Sequence, residues 1–195
     1  SPVLQALKSP SKTRSASAKM RGKLRVGIFG ATGYTGMELL RLLVQHPRVD
    51  LSVLTSQQFV GKRASEVHPS LEGRCDLFLE EAQIERLISR FDLAFTALPH
   101  ETSMDVVPSL IRHGKRVIDL SADFRLQDPE VYRQWYRLHK APDLLRRAIY
   151  GLTEIHRRHI PRARLIANPG CYPTGAVLGL APLFAGHLVR GTVLI

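Results

Sequence analysis

The sequence predicts an α/β fold, a Rossmann-like parallel sheet with flanking helices, and three observations carry that expectation. Short apolar runs alternate with helical stretches from Leu24 to Asn168, the pattern from which right-handed βαβ units and a parallel sheet are built. Glycines at 30, 33 and 36 fall between the first apolar run and the first helical stretch, where a phosphate-binding turn belongs. A length of 195 residues, 44% of them apolar, gives one full domain, or one domain and the beginning of another, with enough material for a core.

Taken in order, LRVGIF at 24–29 is the first strand. The helix YTGMELLRLLVQH follows; Leu39, Leu40, Leu43 and Val44 form one wide face, and Pro47 stops it. VDLSVLT at 49–55 is the second strand, and CDLFL at 75–79, DLAFTAL at 92–98, RVIDLS at 116–121 and ARLIAN at 163–168 are further strands. EAQIERLISR and SMDVVPSLIRHG are the helices interleaved with them. No internal repeat of fixed period appears.

The glycine loop reads VGIFGATGYTG. A G-x-x-G-x-x-G spacing alone is weak evidence. Between strand and helix it becomes a variant of the dinucleotide fingerprint, because glycines permit a tight turn and bring backbone N–H groups close to a pyrophosphate at the helix N-terminus. The end of the second strand indicates which dinucleotide. An NAD-preferring site places an acid there, about 20 residues past the glycines, on the ribose 2′-hydroxyl. Here Thr55, Ser56, Gln57 and Gln58 are neutral and Lys62 and Arg63 follow, so nothing repels a 2′-phosphate. NADP is the expected cofactor.

ANPGCYPTGA at 167–176 holds one of only two cysteines. A free cysteine is ordinarily a small buried hydrophobe, but Asn168, Pro169 and Gly170 form a turn signal. Tyr172 to Leu183 then reads as an apolar helix, with Ala176, Val177, Leu180 and Leu183 at helical spacing. Cys171 is therefore expected at a helix N-terminus, where unpaired N–H groups and the helix dipole favour a thiolate. It is the candidate nucleophile.

The net charge of +11 is concentrated in residues 1–25, which hold seven Lys or Arg and no acid, leaving 21 basic against 17 acidic residues beyond Arg25. No basic stripe interleaved with aromatics suggests a nucleic-acid groove, and no apolar run reaches the roughly 18 residues of a membrane span. Two widely spaced cysteines indicate neither a disulfide framework nor a zinc knuckle. His156 and His159 have no acid or cysteine to complete a metal site. Residues 1–23 read as a disordered basic leader. It is either an organellar transit peptide or an extension ahead of a start at Met20, so the expected location is the cytoplasm or, alternatively, an organellar matrix. The arginines at 146, 147, 157, 158, 162 and 164 read as a solvated face, with steering of an anionic substrate as the alternative.

GATGYTG at 30–36, LPHETS at 98–103, VIDLSADFRL at 117–126, YGLTE at 150–154 and ANPGCYPTG at 167–175 together resemble the N-acetyl-gamma-glutamyl-phosphate reductase family of arginine biosynthesis. The resemblance runs from residue 24 to the end of the chain, and its cysteine motif and VIDLSADFR are its most specific parts. It implies an NADP-binding domain over 24–168 and, from 169, the start of a truncated α+β substrate and dimerisation domain. The family's catalytic histidine is expected beyond residue 195, and the full-length protein is expected to be a homo-oligomer. The implied dinucleotide contacts are Gly30, Thr32, Gly33, Tyr34, Thr35, Gly36, Thr55, Ser56, Leu98, Pro99, His100 and Gly175; Ser121 and Asn168 are implied substrate contacts. The substrate is a small acyl phosphate: Cys171 expels phosphate to leave a thioester, which hydride from NADPH reduces to the semialdehyde. Two positions depart from the family pattern, Glu101 where a small residue such as glycine is usual and Gln57 where an arginine is common.

Other readings compete. Tyr136 and Lys140 make a Tyr-x-x-x-Lys with Ser121 upstream, which resembles short-chain dehydrogenases; the alternative is a surface helix begun by Asp128 and Pro129. Aspartate-semialdehyde dehydrogenase and a reductase of carrier-bound aminoadipate phosphate share the chemistry. A dinucleotide-binding regulator without catalysis is the non-enzyme alternative. Asp119 and Asp123 are expected at the C-terminal end of a strand, where ligands bind in open sheets, or as turn caps.

Overall fold

The computed structural model describes residues 22–194, so the leader expected at 1–23 lies almost wholly outside the described residues. Strand β1 is Leu24–Phe29 and β2 is Val49–Thr55, with the bounds read from the apolar runs. Alternate residues of a strand reach opposite faces of a sheet. Accordingly Phe29 and Val53 enter one buried cluster while Ile28 and Leu54 enter another. The first cluster takes Met104, Val107 and Leu110 from helix α4 (Ser103–Arg112), and the second takes Leu40 from helix α1 (Tyr34–Leu43). Helices thus cover both faces, which is why the strands read as apolar runs.

Between β2 and α4 lie α2 (Ala64–Val67), β3 (Leu79–Glu80), α3 (Ile84–Leu87) and β4 (Leu93–Thr96). After α4 come β5 (Arg116–Asp119), α5 (Pro129–Trp135), α6 (Pro142–Arg147), β6 (Ile149–Tyr150), α7 (Thr153–His156) and β7 (Leu165–Ala167). All pairings are parallel, in the order β3-β2-β1-β4-β5-β7-β6. From β1 the chain winds outward through β2 to β3, then returns to place β4 on the other side of β1. The sheet therefore reverses direction between β1 and β4, the topological switch point at which open α/β sheets bind their ligands.

Three sequence expectations need correction. The strand expected at 75–79 begins only at Leu79, so Cys75 is a buried residue of a connecting segment and not of a strand. The helix expected from EAQIERLISR is a single turn, Ile84–Leu87, continued as a 3₁₀ turn over Ile88–Arg90. Asp128 does cap α5, its carboxylate accepting from Glu130 N at 2.8 Å. That helix stops at Trp135, however, leaving Tyr136 at its C-cap and Lys140 beyond it. Lys140 pairs with Asp105 at 2.6 Å and Ser121 with Asp119, so the dehydrogenase-like Tyr-x-x-x-Lys is not assembled.

Lys23–Gly170 form one compact unit, and Cys171 onward belongs to a second. Within the second, helix α8 spans Cys171–Ala185. No residue of this apolar helix is buried, and Tyr172, Val177, Leu183 and Phe184 are exposed.

Candidate dinucleotide site

The loop after β1 is built by its three glycines in three ways. Gly30 has φ +87°, and a Cβ there would lie 2.4 Å from the Ala97 carbonyl oxygen, so the turn against β4 admits only glycine. At Gly36 a Cβ would meet the Gly30 carbonyl oxygen at 2.2 Å, so α1 packs directly on the loop backbone. Gly33 differs: its φ and ψ of −75° and 169° suit any residue, and a Cβ would find nothing within 4 Å. The missing side chain leaves open space in front of α1, which starts with no side-chain cap and no acid in its first turn. Unsatisfied N–H groups at an uncapped helix start are what a pyrophosphate takes up. These residues fit a dinucleotide.

The expected contacts around the loop take different roles. Thr32, half-buried, shares a hydrogen bond with Ser56 (Oγ1···Oγ 3.1 Å), and Ser56 Oγ also accepts from Phe59 N. Thr55 Oγ1 accepts from Gly30 N at 3.3 Å, and its carbonyl accepts from Ala31 N at 2.9 Å. The Thr55 and Ser56 hydroxyls, both buried, thereby hold the loop in place. Tyr34 and Thr35 are exposed. Beyond β2, Gln57, Gln58, Lys62 and Arg63 are exposed, Lys62 lying over the Phe59 ring and Arg63 over the Phe78 ring. The acid opposite Thr55 on β3, Glu80, is held by Arg90 at 2.7 Å.

Across the switch point, Leu98 borders the glycine turn, 3.3 Å from where a Gly30 Cβ would stand. Pro99 and His100 are exposed, and His100 Nδ1 accepts from Ala122 N at 3.2 Å, joining the loop after β4 to that after β5. Glu101 adopts φ +69°, a left-handed conformation costing a non-glycine residue roughly 1–2 kcal/mol. This is the position at which a small residue such as glycine is expected. Glu101 N donates to Asp123 Oδ1 at 3.0 Å and its carboxylate pairs with Arg137 at 3.1 Å, which keeps the turn in place.

The two aspartates of IDLSADF divide the labour. Asp119, buried, accepts from Thr96 Oγ1 and Ser121 Oγ, both at 2.6 Å. Burial pushes its carboxyl up from the usual range, against these hydrogen bonds, which favour the charged form. Asp123, fully buried, accepts from Glu101 N, Met104 N and Tyr132 Oη, so it caps α4 from a neighbouring loop. Ser121 also accepts from Asp123 N at 3.0 Å, so this expected substrate contact sits inside the network. Asn168 N donates to the Asp119 carbonyl at 2.7 Å, and Arg125 bridges the Asn168 and Leu120 carbonyls at 2.9 Å each. Sequence reading missed Thr96, Arg125, Tyr132 and His139. His139 Nδ1 accepts from Ala141 N and its Nε2 faces the Asp123 carbonyl at 2.9 Å; burial pushes its pKa down. Burial, with the Asp123 charge, pushes the Tyr132 phenol up.

In the second unit, Cys171 is exposed and is the first residue of α8, whose first turn holds no acid. Gly175, one turn on, has nothing within 4 Å of where a Cβ would stand. The buried Cys75 thiol is pushed up by burial. Among the described residues no group of three or more His, Cys, Asp or Glu could hold a metal ion, and no helix is long and apolar enough to cross a membrane.

A seven-stranded parallel sheet with a glycine turn at its switch point defines a dinucleotide-binding domain of the doubly wound class. The model of the family "semialdehyde dehydrogenase, NAD binding domain" matches residues 25–163, and the chain belongs to that family. It is 52% identical over 172 residues to N-acetyl-gamma-glutamyl-phosphate reductase of Syntrophobacter fumaroxidans, covering 88% of this chain and 50% of that protein. It is 53% identical over 167 residues to the protein of the same name from Desulforudis audaxviator, covering 85% and 48%. The chain thus spans about half the length of the curated relatives it matches. Among solved structures its fold is similar to aspartate semialdehyde dehydrogenase with NADP from Candida albicans (TM-score 0.59, 20% identity, 85% of this chain and 48% of that one). It is equally similar to aspartate semialdehyde dehydrogenase II of Vibrio cholerae (TM-score 0.59, 23% identity, 84% and 47%).

Proposed function

We infer that this chain supplies the cofactor-binding portion and the nucleophile of an NADP-dependent reductase. It converts N-acetyl-L-glutamyl 5-phosphate to N-acetyl-L-glutamate 5-semialdehyde and phosphate, in arginine biosynthesis. The observation that carries the reading is identity of about one half, over most of the chain, to reductases of that name. Cys171 Sγ attacks the acyl carbon, the bond from that carbon to the phosphate oxygen breaks, and a thioester on Cys171 remains. NADPH, when bound, supplies the hydride that takes this carbon to the aldehyde level. The carbon–sulfur bond then breaks and Cys171 leaves as thiolate. A helix start without acids is favourable ground for that anion. The amides of Gly33 to Gly36 would hold the pyrophosphate, and Leu98 to His100 would border the nicotinamide end of the cofactor. Lys62 and Arg63 lie on the exposed segment after β2, with Arg63 paired to Asp76 at 3.9 Å and Glu80 held by Arg90.

The test uses a protein extended to the relatives' length. Cys171→Ser should retain NADPH binding while turnover falls about a thousandfold or more, roughly 4 kcal/mol of transition-state stabilisation. A variant keeping more than about a tenth of the activity removes Cys171 as nucleophile. NADPH should bind about tenfold or more tightly than NADH, and equal affinities would refute the NADP assignment.

A further inference from the structure

The six arginines at 146, 147, 157, 158, 162 and 164 are all exposed, as expected of a solvated face, but four of them surround one concavity. Arg147, Arg158, Arg162 and Arg164 line one cavity of about 380 Å³, with Ile111 and Leu144 among its apolar walls and no acid in its lining. That volume falls in the range of small-molecule pockets. Nearby cations are already engaged: Arg146 pairs with Asp143, and Arg116 donates to the carbonyls of Ile160, Pro161 and Ala163. Among the described residues none of the four lining arginines forms an ion pair. Arg164 is oriented by its hydrogen bond to the Gly114 carbonyl at 3.0 Å.

The cavity borders the start of β7 at Leu165 and of β6 at Ile149. Because every strand is parallel, this is the end of the sheet opposite the glycine loop, so the cluster cannot be part of the dinucleotide site. Four like charges around one concavity repel one another unless an anion compensates them, and guanidinium forks match carboxylate and phosphate oxygens two at a time. Apolar walls suit the carbon skeleton of such an anion. We propose that this cavity is a second ligand site, which binds a small polyanion, a phosphate ester or polycarboxylate, independently of the cofactor.

The experiment titrates the full chain with inorganic pyrophosphate and, separately, with citrate, following backbone amides by NMR. The amides of Gly114, Arg164 and Leu165 should shift with either or both anions, the two arms telling phosphate from carboxylate recognition. In the doubly substituted R158A/R162A protein the apparent Kd read at these amides should rise at least tenfold. Shifts at Gly30 and Gly33, where pyrophosphate also reaches the glycine loop, should be unchanged, which shows that the variant is folded. Failure of both anions to move the cavity amides at about 10 mM, or an unchanged Kd in the variant, would overturn the proposal. So would a short DNA duplex that binds the cluster more tightly than either anion and loses that binding in the variant, since the surface would then be a nucleic-acid one.

Discussion

Replacing Gly33 by alanine should separate binding from folding, because the loop's three glycines do different work. At Gly33 the added methyl meets nothing within 4 Å and the backbone is already extended. Two small terms then oppose one another: alanine restricts the unfolded chain, worth about 0.4–1 kcal/mol, and is a poorer helix cap than glycine, costing up to about 1.5 kcal/mol. Urea unfolding should therefore place the variant within about 1.5 kcal/mol of the parent. The methyl nevertheless fills the space in front of α1. If it displaces a phosphate from one charge-assisted hydrogen bond, about 1.5–3 kcal/mol is lost, and NADPH affinity by fluorescence titration should fall roughly 10- to 150-fold. Gly36→Ala is the counterpart. Its Cβ would stand 2.2 Å from the Gly30 carbonyl oxygen and 2.8 Å from Ala31 Cα, so helix and loop must part by about an ångström, at a cost of about 3 kcal/mol or more. Undiminished affinity in Gly33→Ala, or a stability loss in it as large as that of Gly36→Ala, would refute this division of labour.

His139 should make stability pH-dependent. Its folded pKa lies below the usual histidine value of about 6.5, because burial penalises the charged form. Below about pH 6.5 the unfolded chain takes up a proton that the fold refuses, so stability falls with acidification, by at most about 1.36 kcal/mol per pH unit. His139→Gln should flatten the denaturation free energy between pH 6.5 and the folded pKa, and an unchanged slope would refute the assignment. The two cysteines should differ toward iodoacetamide at neutral pH: Cys171, exposed, reacts quickly, while Cys75, buried with its thiol pushed up, reacts slowly until urea opens the fold. Equal rates in the folded protein would contradict that placement of Cys75.

The sequence showed the elements whose cause is local. β1 and β2 could be bounded to the residue because their apolar-rich runs are punctuated by Gly30 after the first and Pro47 before the second. The glycine turn was legible because residue type, spacing and place between strand and helix coincide. The apolar run at 75–79 overstates β3 because burial does not by itself make a strand. Cys75 and Leu79 are both buried, yet Leu77 and Phe78 turn to the segment Lys62 to Ala64, Ala64 N donating to the Leu77 carbonyl, so only Leu79 and Glu80 join β2. β6, two residues long, is too short to show a period. The polar network around Asp123 could not be read at all, since Tyr132 and His139 reach it from 9 and 16 residues away and nothing local marks a tyrosine or histidine as turned inward. Of the two aspartates that the sequence offers as ligand contacts or caps, Asp119 ends β5 and Asp123, in the loop beyond it, is a cap by its hydrogen bonds.

Asp123 also has a mechanical meaning. A single carboxylate from the loop after β5 grips the turn after β4 through Glu101 N, the first turn of α4 through Met104 N, and α5 through Tyr132. Neither loop can swing without dragging the other or stripping a buried anion of its donors, which is a large penalty. The rim of the sheet from Leu98 to Phe124 therefore moves as a single plate, and any opening that admits or releases a bound molecule has to hinge outside it.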